Sequence, residues 1–148
     1  MMLVDVNLLV YAVFSGSSRH EAARAWLDAA LGGTESVALP WAVLAGFIRI
    51  STNPRVMSEP LSLEEAIGHM EEWLALPIVQ MIGPTLRHGV EFARMLRVAH
   101  ATGNLVSDAH LAAVAVEHGC EIASTDEDFA KFPGLRWFNP LAAGAEAG

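Results

Sequence analysis

The feature that most constrains this chain is an alternation of short apolar runs with longer amphipathic segments. Five apolar runs have the length of buried strands; they are residues 2–6, 36–39, 78–82, 121–124 and 135–138. Helical patterns occupy five further segments: residues 19–31, 41–50, 62–74, 85–100 and 107–118. Strands separated by helices of this length need crossover connections, which make the strands parallel and cover the sheet with helices. We therefore predict an α/β fold with a central parallel sheet of about four to five strands.

Local signals mark the ends of two of these helices. Ser62 and Glu65 have the spacing of a capping box. Ser18 is a candidate N-cap for the helix over residues 19–31, and the pair Gly32-Gly33 ends it. The helical segments are therefore predicted from their ends as well as from their periodicity.

The composition indicates one compact domain. Of the 148 residues, 53% are hydrophobic and 18% are charged, which excludes a disordered chain. We predict a single domain over residues 1–140 and a flexible C-terminal tail over residues 141–148, whose small residues have little to bury. The only cysteine, Cys120, cannot form an internal disulfide, and no apolar run is long enough to span a membrane. With no signal-peptide pattern at the start, these features predict a cytoplasmic protein.

Three aspartates mark the region where function is expected. In open parallel sheets, sites form beyond the carboxyl ends of the strands. Asp5 lies in or at the end of the first strand, and Asp126 follows the fourth strand with one residue between. If these two strands are neighbours, both carboxylates share one edge of the sheet. Asp108 opens the helix that leads into the fourth strand, and bringing it to the same edge is an additional assumption.

Converging carboxylates favour a bound cation. They repel one another unless they are protonated or bridged by a metal ion, and an all-oxygen ligand set favours Mg²⁺ or Mn²⁺. Taken alone, Asp108 and Asp126 are explained by helix capping more often than by metal binding. Asp5 is different, because a lone ionised carboxylate in an apolar strand costs free energy unless it is paired or metal-bound.

Other polar residues carry weaker signals. Asn7 is placed to cap the following helix or to orient Asp5, and Asp128 is explained by a solvated helix start. His110 lies two residues after Asp108 and has a smaller claim to the site. Arg49 and Arg55 are candidates for holding phosphate, although solvated surface arginines are the more frequent explanation.

Four segments together resemble the PIN-domain ribonucleases, and more narrowly the VapC toxins of bacterial toxin–antitoxin pairs in their mycobacterial branch. Each segment is short, but all occur in order over nearly the whole chain. The segments are Val4-Asp5-Val6-Asn7 with the residues behind it, residues 39–55, residues 104–113 and residues 124–129.

The resemblance implies a PIN-like fold and an Mg²⁺- or Mn²⁺-dependent endoribonuclease. Carried over by motif, Asp5 and Asp108 are direct metal ligands, Asp126 completes the acidic cluster, and Thr125 is a supporting hydroxyl. It also implies a homodimer, a cognate VapB-type antitoxin whose C-terminal segment enters the site, and an RNA substrate, often tRNA.

The chain departs from the family pattern in two respects. Many members carry a glutamate on the helix after the second strand, where this chain has Gly46. Either three aspartates and water complete the coordination, or Asp128 substitutes, or the enzyme is weak; we favour the first. The net charge of −8 also leaves RNA binding to local arginines and the metal.

Two other classes of function are also considered. A catalytically silent PIN-like module that binds RNA or protein is kept open by Gly46. A phospho-transfer fold is less favoured, because a receiver domain needs an aspartate at the end of a mid-chain strand, and the phosphatases need a second aspartate where this chain has Asn7.

Overall fold

A computed structural model describes residues 1–142 of the chain, which form a parallel sheet of five short strands flanked by six α-helices. The strands are β1 (Met2–Val4), β2 (Val37–Ala38), β3 (Val79–Gln80), β4 (Glu121–Ala123) and β5 (Arg136–Phe138). The helices are α1 (Val6–Val13), α2 (His20–Leu31), α3 (Trp41–Ser51), α4 (Leu63–Leu74), α5 (His88–Val98) and α6 (Leu105–His118). A 3₁₀ turn over Glu127–Lys131 follows β4.

The strand order is β3-β2-β1-β4-β5, with every neighbouring pair parallel. The first strand therefore lies in the middle of the sheet, and Val4 is paired with Ala123 of β4. This arrangement confirms the predicted α/β fold. It also places the segments that follow β1 and β4 side by side at one edge of the sheet.

Burial explains why the strands are apolar without alternation. Leu3, Val4 and Ile122 are completely buried, because helices cover both faces of the sheet. Phe47 of α3 and Phe129 of the 3₁₀ turn pack into the same core. The backbone at the carboxyl edge of β1 and β4 is consequently held in a rigid, well-packed frame.

The first helix begins earlier than the sequence pattern indicates. We assigned Val6 to the strand over residues 2–6, but β1 ends at Val4 and α1 starts at Val6. The cause is Asp5, which is the N-cap of α1, so the prediction that Asn7 caps this helix is wrong. Asn7 lies inside the first turn of the helix.

Other boundaries shift by a few residues. The capping box of Ser62 and Glu65 is confirmed, with both reciprocal hydrogen bonds present. Ser18 does not cap α2; Arg19 is its N-cap and makes no side-chain capping hydrogen bond. The strand over residues 78–82 is reduced to Val79–Gln80 at the sheet edge, and the helix over residues 85–100 to His88–Val98.

The first residue of the predicted C-terminal tail contacts the core. Leu141 is half-buried and packs against the core. Most of the predicted tail, residues 143–148, lies outside the described residues. Within residues 1–142, no helix has the length and hydrophobicity needed to cross a membrane.

Candidate active site

Asp5 is held rigidly at the point where β1 ends. One carboxylate oxygen accepts a hydrogen bond from the backbone N–H of Val6 at 2.8 Å, and the other from the Ser124 hydroxyl at 2.7 Å. The residue is only 5% exposed. Burial raises the pKa of its carboxyl, the hydrogen bonds partly counteract this, and the nearby charge of Asp126 raises the pKa further.

Ser124 joins the two strand ends, and the sequence analysis did not identify it. Its fully buried hydroxyl donates to Asp5 and accepts from the side-chain amide of Asn7 at 3.2 Å and from the backbone N–H of Asp126 at 3.0 Å. A signal was present in the sequence, because Ser124 is a hydroxyl residue directly at the end of an apolar strand.

Three other aspartates converge at this edge. Oxygens of Asp108, Asp126 and Asp128 all lie within 4.8 Å of one another. Asp126 caps the 3₁₀ turn by accepting from the backbone N–H of Asp128 at 2.9 Å, which fixes the Asp126 side chain. Asp128 also forms an ion pair with Lys131 at 2.8 Å. Helix α6 thus brings Asp108 to the same edge of the sheet as Asp126, which the sequence analysis had to assume.

The cluster carries more negative charge than Lys131 alone balances. The pKa of Asp108 is raised to about 7, chiefly by burial and then by the charges of Asp126, Asp5 and Asp128. Without a cation, one carboxyl of this group therefore holds a proton near neutral pH.

Asp5 is adjacent to this cluster rather than within it. Asp5 is not one of the three converging carboxylates, but its negative charge contributes to the raised pKa of Asp108. Asp5 and Asp108 line one cleft of about 320 Å³ together with Arg49 and His110. The sequence predicted a cluster of Asp5, Asp108 and Asp126, whereas the three carboxylates that converge are those of Asp108, Asp126 and Asp128.

Two supporting residues behave differently. The Asn7 amide donates to Ser124, while its buried Oδ1 makes no hydrogen bond within residues 1–142. Thr125 is half-buried, and the described part of the chain gives its hydroxyl no hydrogen bond. The hydroxyl that joins Asp5 to the Asp126 backbone is that of Ser124.

Helix α3 presents one face to the cleft. Ala42 and Arg49 line it, and Gly46 lies between them at helical spacing. A Cβ at Gly46 would lie 3.4 Å from Val6, which also lines the cleft. Arg49 is therefore beside the acids, whereas Arg55 lies in the turn beyond α3 and does not line this cleft.

A hydrogen-bonded pair of histidines borders the same cleft. His88 Nε2 lies 3.1 Å from His110 Nδ1, and His88 Nδ1 lies 2.6 Å from the carboxylate of Glu117. Burial, and then the neighbouring His88, lower the pKa of His110. The rings of Phe92 and His110 have centroids 5.9 Å apart, and Phe92 also lines the cleft.

The site has the donors that a hard divalent cation requires. Three converging carboxylates supply oxygen ligands, and the raised pKa of Asp108 reflects negative charge that a cation would neutralise. The unpartnered Asn7 Oδ1 provides a further buried oxygen beside Asp5 and Ser124. The arrangement suits a hard divalent cation.

Comparison with known proteins agrees with this geometry. The family model of the PIN domain matches residues 2–135. The chain is 44% identical to Ribonuclease VapC37 of Mycobacterium tuberculosis over 96% of this chain and 99% of that protein. It is 41% identical to Ribonuclease VapC43 of the same species over 95% of this chain and 96% of that protein.

Solved structures share the fold at low sequence identity. VapBC2 from Rickettsia felis, bound to a DNA fragment of its promoter, aligns with TM-score 0.67 and 17% identity over 93% of this chain and 97% of that one. VapC20 of Mycobacterium tuberculosis, described as a sarcin-ricin loop cleaving toxin, aligns with TM-score 0.67 and 18% identity over 92% and 99%.

Proposed function

Because the chain belongs to the PIN-domain family, with VapC ribonucleases among its relatives, we propose that it is the ribonuclease toxin of a type II toxin–antitoxin system. It hydrolyses phosphodiester bonds of RNA in the cleft beside the acidic cluster. The observation that carries this proposal is the convergence of Asp108, Asp126 and Asp128 next to the buried Asp5.

We propose the metal-binding residues from this placement. Asp108 and Asp126 would hold Mg²⁺ or Mn²⁺ together with Asp5. Because Asp128 converges with them, we now favour Asp128 as the extra acid that Gly46 cannot supply, in place of three aspartates and water. The chemistry supplied by such a cation when bound is a lowered pKa for a coordinated water and neutralisation of charge on the scissile phosphate. Ser124 and Asn7 keep Asp5 oriented through their hydrogen bonds.

Substrate binding against a net charge of −8 requires local positive charge. Arg49 supplies it, because it lines the cleft with Asp5 and Asp108 and makes no side-chain hydrogen bond or ion pair within residues 1–142. The contribution of Arg55 is smaller, since it lies outside the cleft.

Partners are proposed from the solved relatives. VapBC2 from Rickettsia felis and VapBC-1 from Haemophilus influenzae are toxin–antitoxin complexes. We propose that a VapB-type antitoxin silences this chain and that the toxin is a homodimer. Co-expression with a candidate VapB-type antitoxin, followed by light scattering, tests both proposals. A toxin that stays monomeric and does not bind the antitoxin would contradict them.

The test of activity is cleavage of total bacterial RNA by the antitoxin-free protein with Mg²⁺, Mn²⁺ or EDTA. We expect discrete products that require the cation and that disappear in Asp5→Asn and Asp126→Asn. Asp28→Asn is the matched control, because Asp28 is exposed on α2. A folded wild-type protein that cleaves nothing with either cation would favour the silent binding module instead.

A further inference from the structure

A chain of three hydrogen-bonded side chains runs from a buried carboxylate to the cleft. The Glu117 side chain on α6 is 1% exposed and lies 2.6 Å from His88 Nδ1. The other nitrogen of His88 lies 3.1 Å from His110 Nδ1. His110 in turn lines the cleft with Asp5 and Asp108. The metal-binding proposal uses none of these three residues.

Glu117 is held as an ionised acceptor. Its Oε1 accepts hydrogen bonds from the backbone N–H of Thr85 at 2.9 Å and from the Thr85 hydroxyl at 2.6 Å. Burial by itself would raise the pKa of Glu117, but the hydrogen bonds from Thr85 and His88 outweigh it, and the pKa is lowered. An ionised carboxylate only accepts, so His88 Nδ1 must donate to it.

The other hydrogen-bond directions follow when both histidines are neutral. In a neutral imidazole one nitrogen donates and the other accepts. A neutral His88 that donates from Nδ1 to Glu117 accepts at Nε2, so His110 Nδ1 is the donor of the bond between the two rings. His110 Nε2 is then left with a free lone pair, and it makes no hydrogen bond to any residue in the described range 1–142.

The Nε2 lone pair of His110, which lines the cleft with Asp5 and Asp108, cannot bind a phosphate oxygen, because both are hydrogen-bond acceptors. The two carboxylates are acceptors as well once a cation has replaced the proton of Asp108. The hydrogen-bond donor that an RNA backbone carries, and that a DNA backbone lacks, is the ribose 2′-hydroxyl. His110 is therefore suited to accept a hydrogen bond from this group of an RNA strand in the cleft.

We propose that His110 contacts the substrate by accepting a hydrogen bond from a ribose 2′-hydroxyl, and that Glu117 and His88 are positioning residues that fix its tautomer. This inference rests on the proposed function, since it requires RNA in the cleft. It assigns the preference for RNA over DNA to a particular nitrogen atom.

The tautomer of His110 can be measured without an activity assay. Nitrogen-15 NMR of the wild-type protein is expected to show His110 with its proton on Nδ1. In Glu117→Gln the carboxamide oxygen still accepts from Thr85, while its NH₂ donates to His88 Nδ1. The order of hydrogen bonds then reverses, and the His110 proton moves to Nε2. A wild-type His110 already protonated on Nε2 would overturn the proposal.

The contact itself is tested with RNA oligonucleotides carrying a single 2′-deoxy nucleotide at each position in turn. At one position near the cut, wild-type cleavage should slow by up to about tenfold, the range of one lost hydrogen bond. His110→Phe should show the same loss with all-RNA substrate and no further response to the deoxy nucleotide. Glu117→Gln should have no additional effect in the His110→Phe background.

The variant Thr85→Val tests whether Glu117 acts by fixing the His110 tautomer or only by stabilising the fold. It removes one hydrogen bond to Glu117 without reversing the chain, so it should lower stability while preserving the 2′-deoxy response. Equal effects of Thr85→Val and Glu117→Gln on that response would overturn the proposal. If His110 carries its proton on Nδ1 but no 2′-deoxy substitution slows cleavage, the proposed contact with the 2′-hydroxyl is overturned while the proposed function stands. If the wild-type protein cleaves no RNA, both the contact and the proposed function are overturned.

Discussion

At the scale of single residues, Ser124 is the position where the structure adds most to the sequence. One buried hydroxyl serves Asp5, Asn7 and the Asp126 backbone. We expect Ser124→Ala to lower the free energy of unfolding by about 1–3 kcal/mol, because buried partners lose their hydrogen bonds. Urea unfolding measures this, with the exposed Ser58→Ala as the control. Equal stability of the two variants would contradict the role of Ser124.

Asp108 makes the stability of the cation-free protein depend on pH. Its pKa is about 7 in the folded protein and has its ordinary value of 3.8 in the unfolded chain. Between these values the folded protein holds a proton that the unfolded chain has lost, so stability decreases as pH rises across this window and levels off above it.

We therefore expect the Tm in EDTA to be lower at pH 8 than at pH 5.5, with a smaller difference in Asp108→Asn. Thermal unfolding monitored by circular dichroism measures both proteins. Adding Mn²⁺ at pH 8 should raise the Tm of the wild type, because a cation replaces the missing proton. An unchanged pH dependence in the variant would show that other groups cause it.

At the scale of elements, α3 offers a direct test of the missing glutamate. Gly46 lies between two residues that line the cleft, and a Cβ there makes only an ordinary contact with Val6. We expect Gly46→Glu to bind Mn²⁺ several-fold more tightly by calorimetry, since it adds a carboxylate at the site. Gly46→Ala is the matched control and should be more stable than wild type by about 0.5–1 kcal/mol, as is usual for glycine in a helix interior.

The sequence predicted elements best where local chemistry fixed their ends. The capping box at Ser62 was recognisable because its two partners are three residues apart. Helix α1 was expected only as a helix after Asn7, and its start and length were not predicted. Residues 6–13 are apolar on most sides, so burial on several faces hid the helical period. The placement of Asp5 and Asp126 followed from strand adjacency, whereas the Glu117–His88–His110 chain depends on the packing of α5 against α6, which no local pattern encodes.

At the scale of the whole molecule, the C-terminal boundary is a testable property. Leu141 packs against the core although it lies beyond the predicted domain end at residue 140. We expect truncation after Ala142 to leave the Tm unchanged and truncation after Pro140 to lower stability by about 1 kcal/mol, because a half-buried leucine is lost. Identical Tm values of the two truncated chains would show that Leu141 adds nothing to stability, as expected if the domain ends at residue 140.

The central position of β1 has a consequence for protein synthesis. This strand is translated well before its neighbour β4, since the Asp5–Ser124 hydrogen bond joins residues 119 positions apart. A nascent chain therefore cannot assemble the acidic cleft before β4 has been made. Chains whose translation stops before β4 lack the assembled cleft that the proposed cleavage of RNA requires.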